Sequence, residues 1–218
     1  MAQSCGIFDA TRFARPCEVS RPTIANYLRV LEATFVVHVI RPSSARRTTE
    51  IVAAPTVYGF DTGFICYYRD WQELRDDDLG ILWEHFVLNE ITARLQSREI
   101  FYWRDKRGHE VDFILAPRRK SPIAIECKWS SNNFDSANLR AFRHQHPDGN
   151  NLVLAHDVER AFIQNYGNLK VRFESLRSFA DSKLGGRCVL TLRTAWQRSG
   201  CGAAPSRTVR AANCASSF

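Results

Sequence analysis

Gly108-His109-Glu110-Val111-Asp112-Phe113-Ile114-Leu115 and, past a proline-bounded turn, Ile123-Ala124-Ile125-Glu126-Cys127-Lys128-Trp129 are the stretch that decides how this chain is read. Each is short, rich in β-branched and aromatic residues, and bounded by turn formers, so each predicts a strand. Alternation along the second strand puts Glu126 and Lys128 on one face and Ile123, Ile125 and Cys127 on the other. With a hairpin across Pro117–Pro122, Asp112 falls opposite Glu126 on the same face. Two carboxylates and an ammonium then converge, a set suited to a divalent cation held between carboxylates with a lysine beside an attacking water. On solvated strands the same residues would form only surface ion pairs of small energetic weight. These residues alone leave both readings open.

Working outward, Leu79–Gln96 predicts a long helix. Glu84, Leu88, Ile91 and Leu95 fall on one stripe, and Leu82, Trp83, Phe86 and Val87 form a second. A helix apolar on two sides is sandwiched, so Glu84 is expected to point inward or into a cleft, beside a partner that offsets its burial. Strands are expected at Glu99–Arg104, Glu110–Leu115 and Ile123–Lys128, then a helix near Ser136–His144 and a strand at Asn151–His156. A helix at Val158–Gln164 and an extended Lys170–Phe173 complete the region from Asp76 to Ser178. The order αβββαβ is that of an α/β layered sheet. Trp103, within Tyr102-Trp103-Arg104, is expected to face the core. His109 and Glu110 read as exposed residues at a strand start. His144 and His146 alternate at a helix end before Pro147 and are discounted as a metal pair.

Upstream, Ser20 can cap a helix, Pro22 suits its first turn, and Ile24, Tyr27, Leu28, Leu31 and Phe35 follow at helical spacing. Phe35–Ile40 reads as a strand, Arg41–Arg47 as a basic turn, Thr48–Val52 as a returning strand and Pro55–Phe60 as a further extended piece. Helix, strand, basic loop, strand is the winged-helix order. Phe8–Val19 has room for one short helix, so this module, residues 1–68, reads as a partial winged helix beginning inside the motif. Arg21, Thr23, Asn26 and Arg29 sit where a recognition helix meets DNA, and Arg46 and Arg47 where a wing touches phosphate. Winged helices also serve protein contacts. Asp61-Thr62-Gly63 reads as a turn and helix cap joining the modules.

The 218 residues carry a net charge of +7, but its distribution weakens a nucleic-acid reading from charge alone. No acidic residue follows Asp181, whereas Lys183, Arg187, Arg193, Arg198, Arg207 and Arg210 do; removing those six leaves 24 basic against 23 acidic residues. The tail, residues 183–218, is rich in Gly, Ala, Ser and Arg without a sustained period and is expected to be disordered. The longest apolar runs are too short to span a bilayer, and Met1–Ala10 does not have the pattern of a secretory signal. Seven cysteines without paired CxxC spacing read as thiols in a reducing cytoplasm, not as a zinc or disulfide framework.

Asp112, a thirteen-residue gap, then Glu126-Cys127-Lys128, with Glu84 on a preceding helix, resembles the PD-(D/E)xK restriction-endonuclease-like superfamily. An ordered series is similar to the family called domain of unknown function 4143: Val19-Ser20-Arg21-Pro22-Thr23, Val57-Tyr58-Gly59-Phe60-Asp61-Thr62-Gly63, Trp83-Glu84-His85-Phe86-Val87-Leu88-Asn89-Glu90, Tyr102-Trp103-Arg104, Glu110-Val111-Asp112-Phe113 and Ile125-Glu126-Cys127-Lys128. The resemblance implies a winged helix followed by a nuclease-like domain, at residues 76–178, behind an AAA-like ATPase. No G-x-x-x-x-G-K-[ST] segment occurs, so ATP hydrolysis is not assigned to this chain and any P-loop ATPase is expected as a separate partner. Carried over, Asp112 and Glu126 would bind Mg²⁺ with the Cys127 carbonyl as third ligand, Lys128 would orient or deprotonate water, and Glu84 would bind metal or position the lysine. The expected function is a Mg²⁺-dependent DNA phosphodiesterase, with a non-catalytic DNA- or protein-binding module or an inactive gene fragment as alternatives.

Overall fold

The computed structural model describes residues 4–43, 54–95, 99–116 and 121–183. Among the described residues nine strands form one sheet in the order β1-β3-β2-β4-β5-β6-β7-β9-β8. In chain order they are β1 (Gly6–Ile7), β2 (Val37–Pro42), β3 (Thr56–Gly59), β4 (Ile100–Arg104), β5 (Glu110–Leu115), β6 (Ile123–Lys128), β7 (Asn150–Ala155), β8 (Phe162–Tyr166) and β9 (Leu169–Glu174). The helices are α1 (Ala10–Ala14), α2 (Arg21–Ala33), α3 (Thr62–Tyr68), α4 (Asp76–Leu95), α5 (Ala137–Gln145) and α6 (Leu176–Lys183). Antiparallel pairs predominate; β2–β4, β6–β7 and β7–β9 are parallel. Among the described residues no helix is long and apolar enough to cross a membrane.

The helix starts follow capping chemistry. Ser20 Oγ accepts the Thr23 N–H at 3.3 Å to open α2, and Asp61 Oδ1 accepts the Phe64 N–H at 2.9 Å to open α3. Asp76, Asp77 and Asp78 extend α4 beyond its expected start, where negative charge suits the helix dipole. α2 stops because Phe35 turns left-handed, φ 59°, while the Val36 N–H reaches back to the Leu31 carbonyl at 2.9 Å. That closure leaves Phe35 outside the strand it was expected to begin.

One apolar layer lies between the sheet and α4 with α6, built from Trp83, Val87, Leu88, Ile91, Phe113 and Phe179. The other lies beneath α5, where Leu139 and Phe142 meet Trp103, Val111, Val153 and Phe173. Trp103 faces this core as expected, 5.4 Å from the Phe142 ring. The first layer also takes in Ile40 and Tyr58, so the N-terminal strands share a core with the rest.

Several sequence expectations need correction. Val158–Gln164 is not a helix: β8 begins at Phe162 and turns through Gly167-Asn168 into β9, with Gly167 at φ 62°. The two-residue glycine turn and the Phe162–Phe173 stack, 4.8 Å between centroids, favour a hairpin over helical spacing. The region therefore runs αβββαβββα, with α6 unforeseen although Ser175 Oγ accepts the Ser178 N–H at its start. The antiparallel partner of β2 is β3, from the Pro55–Phe60 piece. The expected strand at Thr48–Val52, Arg46, Arg47 and nearly all of the tail lie outside the described residues. In α2 only Ile24 of the five-residue apolar stripe is buried; Tyr27, Leu31 and Phe35 are exposed.

Candidate functional site

Asp112 owes its position to an irregularity in β5. Phe101 pairs with Ile114 and Trp103 with Val111, so Tyr102 alone faces both Asp112 and Phe113, a β-bulge. On the other side of β5 the paired register ends at Phe113↔Ile125. Beyond it the Cys127 N–H is accepted by Asp112 Oδ2 at 2.7 Å. The side chain thus stands in for backbone where β5 and β6 part. Continuing the register by one residue puts Asp112 across from Glu126.

Glu126 pairs with Val153 and Lys128 with Ala155 in the parallel ladder to β7, on the α5 side of the sheet. Glu126 is 1 % exposed. Lys128 Nζ lies 3.0 Å from Glu126 Oε2, a close ion pair, and among the described residues no other group donates to either Glu126 oxygen. Burial, and then the neighbouring Asp112, push the Glu126 carboxyl up to about 8 against the pull of Lys128. Burial also raises Asp112, with Lys128 and the Cys127 N–H acting in the opposite direction. For Lys128 burial disfavours the ammonium, but Asp112 and Glu126 more than offset it and its pKa is raised. These three side chains therefore meet electrostatically in one place.

Glu84 comes from α4, on the opposite face of the sheet, near enough for its charge to act on Glu126. Both its oxygens are engaged: Tyr58 O–H donates to Oε1 at 2.5 Å and the Cys5 thiol to Oε2 at 2.9 Å. Burial, then the charge of Asp112, raise Glu84 to about 8 despite these two donors. Tyr58 and Cys5 come from β3 and the turn before β1, and sequence reasoning did not foresee them as partners. Alternation shows that Tyr58 points inward, but only the β1–β3–β2 pairing brings it to α4. Next to it, Ser4 Oγ receives the Gly59 N–H at 2.7 Å and lies 2.7 Å from His85 Nε2, whose Nδ1 faces the Ile81 carbonyl at 2.8 Å. Burial lowers His85 to about 4. A neutral ring with its proton on Nδ1 satisfies that carbonyl and leaves Nε2 to accept from Ser4.

The remaining expected residues are placed as follows. Arg21, Asn26 and Arg29 are exposed on α2; Thr23 is half-buried and its hydroxyl pairs with Ser20 at 2.8 Å. Arg29 contacts Asn26 at 3.4 Å. His109 Nδ1 lies 2.8 Å from Asp105 Oδ2 in the β4–β5 turn, and Glu110 pairs with Arg104 at 3.5 Å. His144 is exposed while His146 lies against Phe142 at 4.8 Å, so the two do not converge. Among the described residues no group of three or more His, Cys, Asp or Glu side chains is spaced to hold a metal ion. The Cys127 thiol is buried and raised far above its ordinary pKa, first by burial and then by Asp112.

Residues 79–181 match the family described as domain of unknown function DUF4143, and residues 1–75 match domain of unknown function DUF8612. The boundary falls between α3 and the body of α4, although the sheet and its core run across it. The uncharacterized protein Rv2008c of Mycobacterium tuberculosis is 27 % identical over 139 residues, 62 % of this chain and 31 % of that protein. The uncharacterized protein Mb2031c of Mycobacterium bovis matches to the same extent. The aligned part of this chain thus spans about a third of the length of these curated relatives.

Proposed function

We propose that the fork between β5 and β6 is the site of a Mg²⁺-dependent phosphodiesterase acting on nucleic acid, in a restriction-endonuclease-like domain. The observation that carries this reading is Glu126: buried beside Asp112, with Lys128 Nζ 3.0 Å from Oε2 and, among the described residues, no other hydrogen-bond donor on its two oxygens. An unsatisfied buried carboxylate is costly, and a divalent cation removes that cost. Mg²⁺ prefers oxygen ligands and retains several waters, so two carboxylates suffice without a three-residue cage. Asp112 Oδ2 is committed to Cys127, which leaves Oδ1 and the Glu126 carboxylate as the ligating oxygens, with the Cys127 carbonyl as a third. Bound there, the cation would supply Lewis-acid stabilisation of the phosphate and a more acidic water. Lys128, held charged by Asp112 and Glu126, orients that water and offsets phosphate charge. Glu84, both of whose oxygens are taken by Tyr58 and Cys5, stands outside the ligand set.

In the same reading α1, α2 and the β2–β3 hairpin form the partial winged helix, with Arg21, Thr23, Asn26 and Arg29 on the helix that approaches DNA. Arg46 and Arg47 would contact phosphate from the wing. A separate P-loop ATPase would be its partner, as the family resemblance implies. Two observations favour a second reading, a non-catalytic nucleic-acid- or protein-binding module: the Glu126 oxygens are sealed from solvent and, among the described residues, no three-ligand cluster is preformed. Calorimetry with Mg²⁺, repeated on Asp112→Asn and Glu126→Gln, separates the two. Binding in the wild type that both variants lose, together with Mg²⁺-dependent nicking of supercoiled plasmid, supports the enzyme. No binding in the wild type removes it.

A further inference from the structure

Three rings that the fork does not use stand at the ends of β6 and β7. Lys128 pairs with Ala155, so the residues that follow, Trp129 and His156, leave two adjacent parallel strands together. Their rings lie face to face, 4.0 Å between centroids and 12° between planes. Trp83 from α4 stands edge-on to both, at 6.1 Å from Trp129 and 5.8 Å from His156. Its indole N–H is fixed on the Leu154 carbonyl at 2.9 Å. Trp83 is buried, Trp129 half-buried and His156 exposed. A core role accounts for Trp83. Trp129 also packs on the α4-side layer; packing does not account for the exposed His156 ring laid flat on it at the carboxyl end of the strand that carries Lys128.

We infer that Trp129 and His156 form a stacking platform for an unpaired nucleobase, which makes single-stranded or locally unpaired nucleic acid the substrate class. The inference rests on the function proposed above: Trp129 follows Lys128 at the carboxyl end of β6 but turns to the α4 face, so the nucleotide would cross the strand ends, with its phosphate toward Lys128 and its base on the rings. Every base offers a π-face, so such a platform is tolerant of sequence. Bases within a duplex are already stacked and reach a protein ring only after unpairing. The carboxyl ends of parallel strands are also where open α/β sheets commonly take ligands. Asp157, the nearest acidic residue along the chain, is occupied by the Ser131 N–H and the Ser130 hydroxyl, each at 2.8 Å.

The test is fluorescence anisotropy in EDTA, which prevents metal-dependent cleavage, with a labelled twelve-nucleotide oligothymidylate and a hairpin duplex of equal length. His156 is exposed, so His156→Ala leaves the fold intact, with circular dichroism as the check; Trp129→Leu is the second variant. Both are expected to lose about tenfold in affinity for the single strand, the loss of one base–aromatic stack, with duplex binding unchanged. Quenching of tryptophan emission by oligothymidylate should disappear in Trp129→Leu. Wild-type protein that does not bind the single strand, His156→Ala with unchanged affinity, or equal loss on both ligands overturns the platform. Asp112→Asn is the control for the enzyme reading: retained single-strand binding with no Mg²⁺ binding in the wild type would sink the nuclease and leave the platform standing.

Discussion

Replacing Glu126 by glutamine tests the electrostatics of the fork most directly. The wild-type carboxyl has a folded pKa of about 8 against an ordinary value of 4.5, so between those pH values the folded state binds a proton that the unfolded chain has released. Stability from this group is therefore fully present below about pH 4.5 and is lost as pH rises through 8. At about 1.4 kcal/mol per pH unit the whole difference is about 5 kcal/mol. Asp112 and Glu84 share the same electrostatic field, which reduces the portion removed by Glu126→Gln to about 2 kcal/mol. Urea unfolding in EDTA from pH 5 to pH 9 measures it. The wild type should lose stability across the window, and the glutamine variant should lose about 2 kcal/mol less, equivalent to about 4–8 °C in Tm. Added Mg²⁺ at pH 8 should stabilise the wild type and leave the variant unmoved. Parallel pH curves for the two proteins would refute the claim that Glu126 is buried without adequate compensation.

Other substitutions probe the supports of the site. Tyr58→Phe removes the O–H that donates to Glu84 Oε1 and should cost about 1–3 kcal/mol above pH 8, with a smaller loss at pH 5 where Glu84 is protonated; denaturant midpoints at both pH values read this out. Ser4→Ala strips a buried hydroxyl from the Gly59 N–H and His85 Nε2, and a loss of about 1–3 kcal/mol in the same assay is expected. Gly149→Ala should destabilise more than either: φ is 120°, and an added Cβ would stand 2.1 Å from the Pro122 carbonyl oxygen. Wild-type-like unfolding of that variant would show that the β6–β7 entry can shift to admit a methyl group.

Much of the architecture was legible because it is local. The long helix α4, the strands β4 to β7, the caps at Ser20 and Asp61, and the inward turn of Glu84 all follow from spacing and turn chemistry within a few residues. At Val158–Gln164 the sequence leads to a helix, but the glycine turn at Gly167 and pairing of β8 with β9 outweigh that local reading. Helix α6 was passed over since its apolar residues Leu176, Phe179 and Ala180 are few, and only the cover they give to α4 makes them significant.

The sequence by itself determined that Asp112, Glu126 and Lys128 lie on neighbouring strands with a matching register, because a strand's period is two and its pairing fixes which residues meet. Only the tertiary structure decided how they meet. A bulge opposite Tyr102 brings Asp112 onto the Cys127 N–H, and the parallel partner β7 helps bury Glu126 with Lys128 as its close cation. Pairing of β1 with β3 carries Cys5 and Tyr58 to Glu84. Bulges, burial and partners from 26 and 79 residues away depend on the whole chain being folded, and no local pattern of residues encodes them.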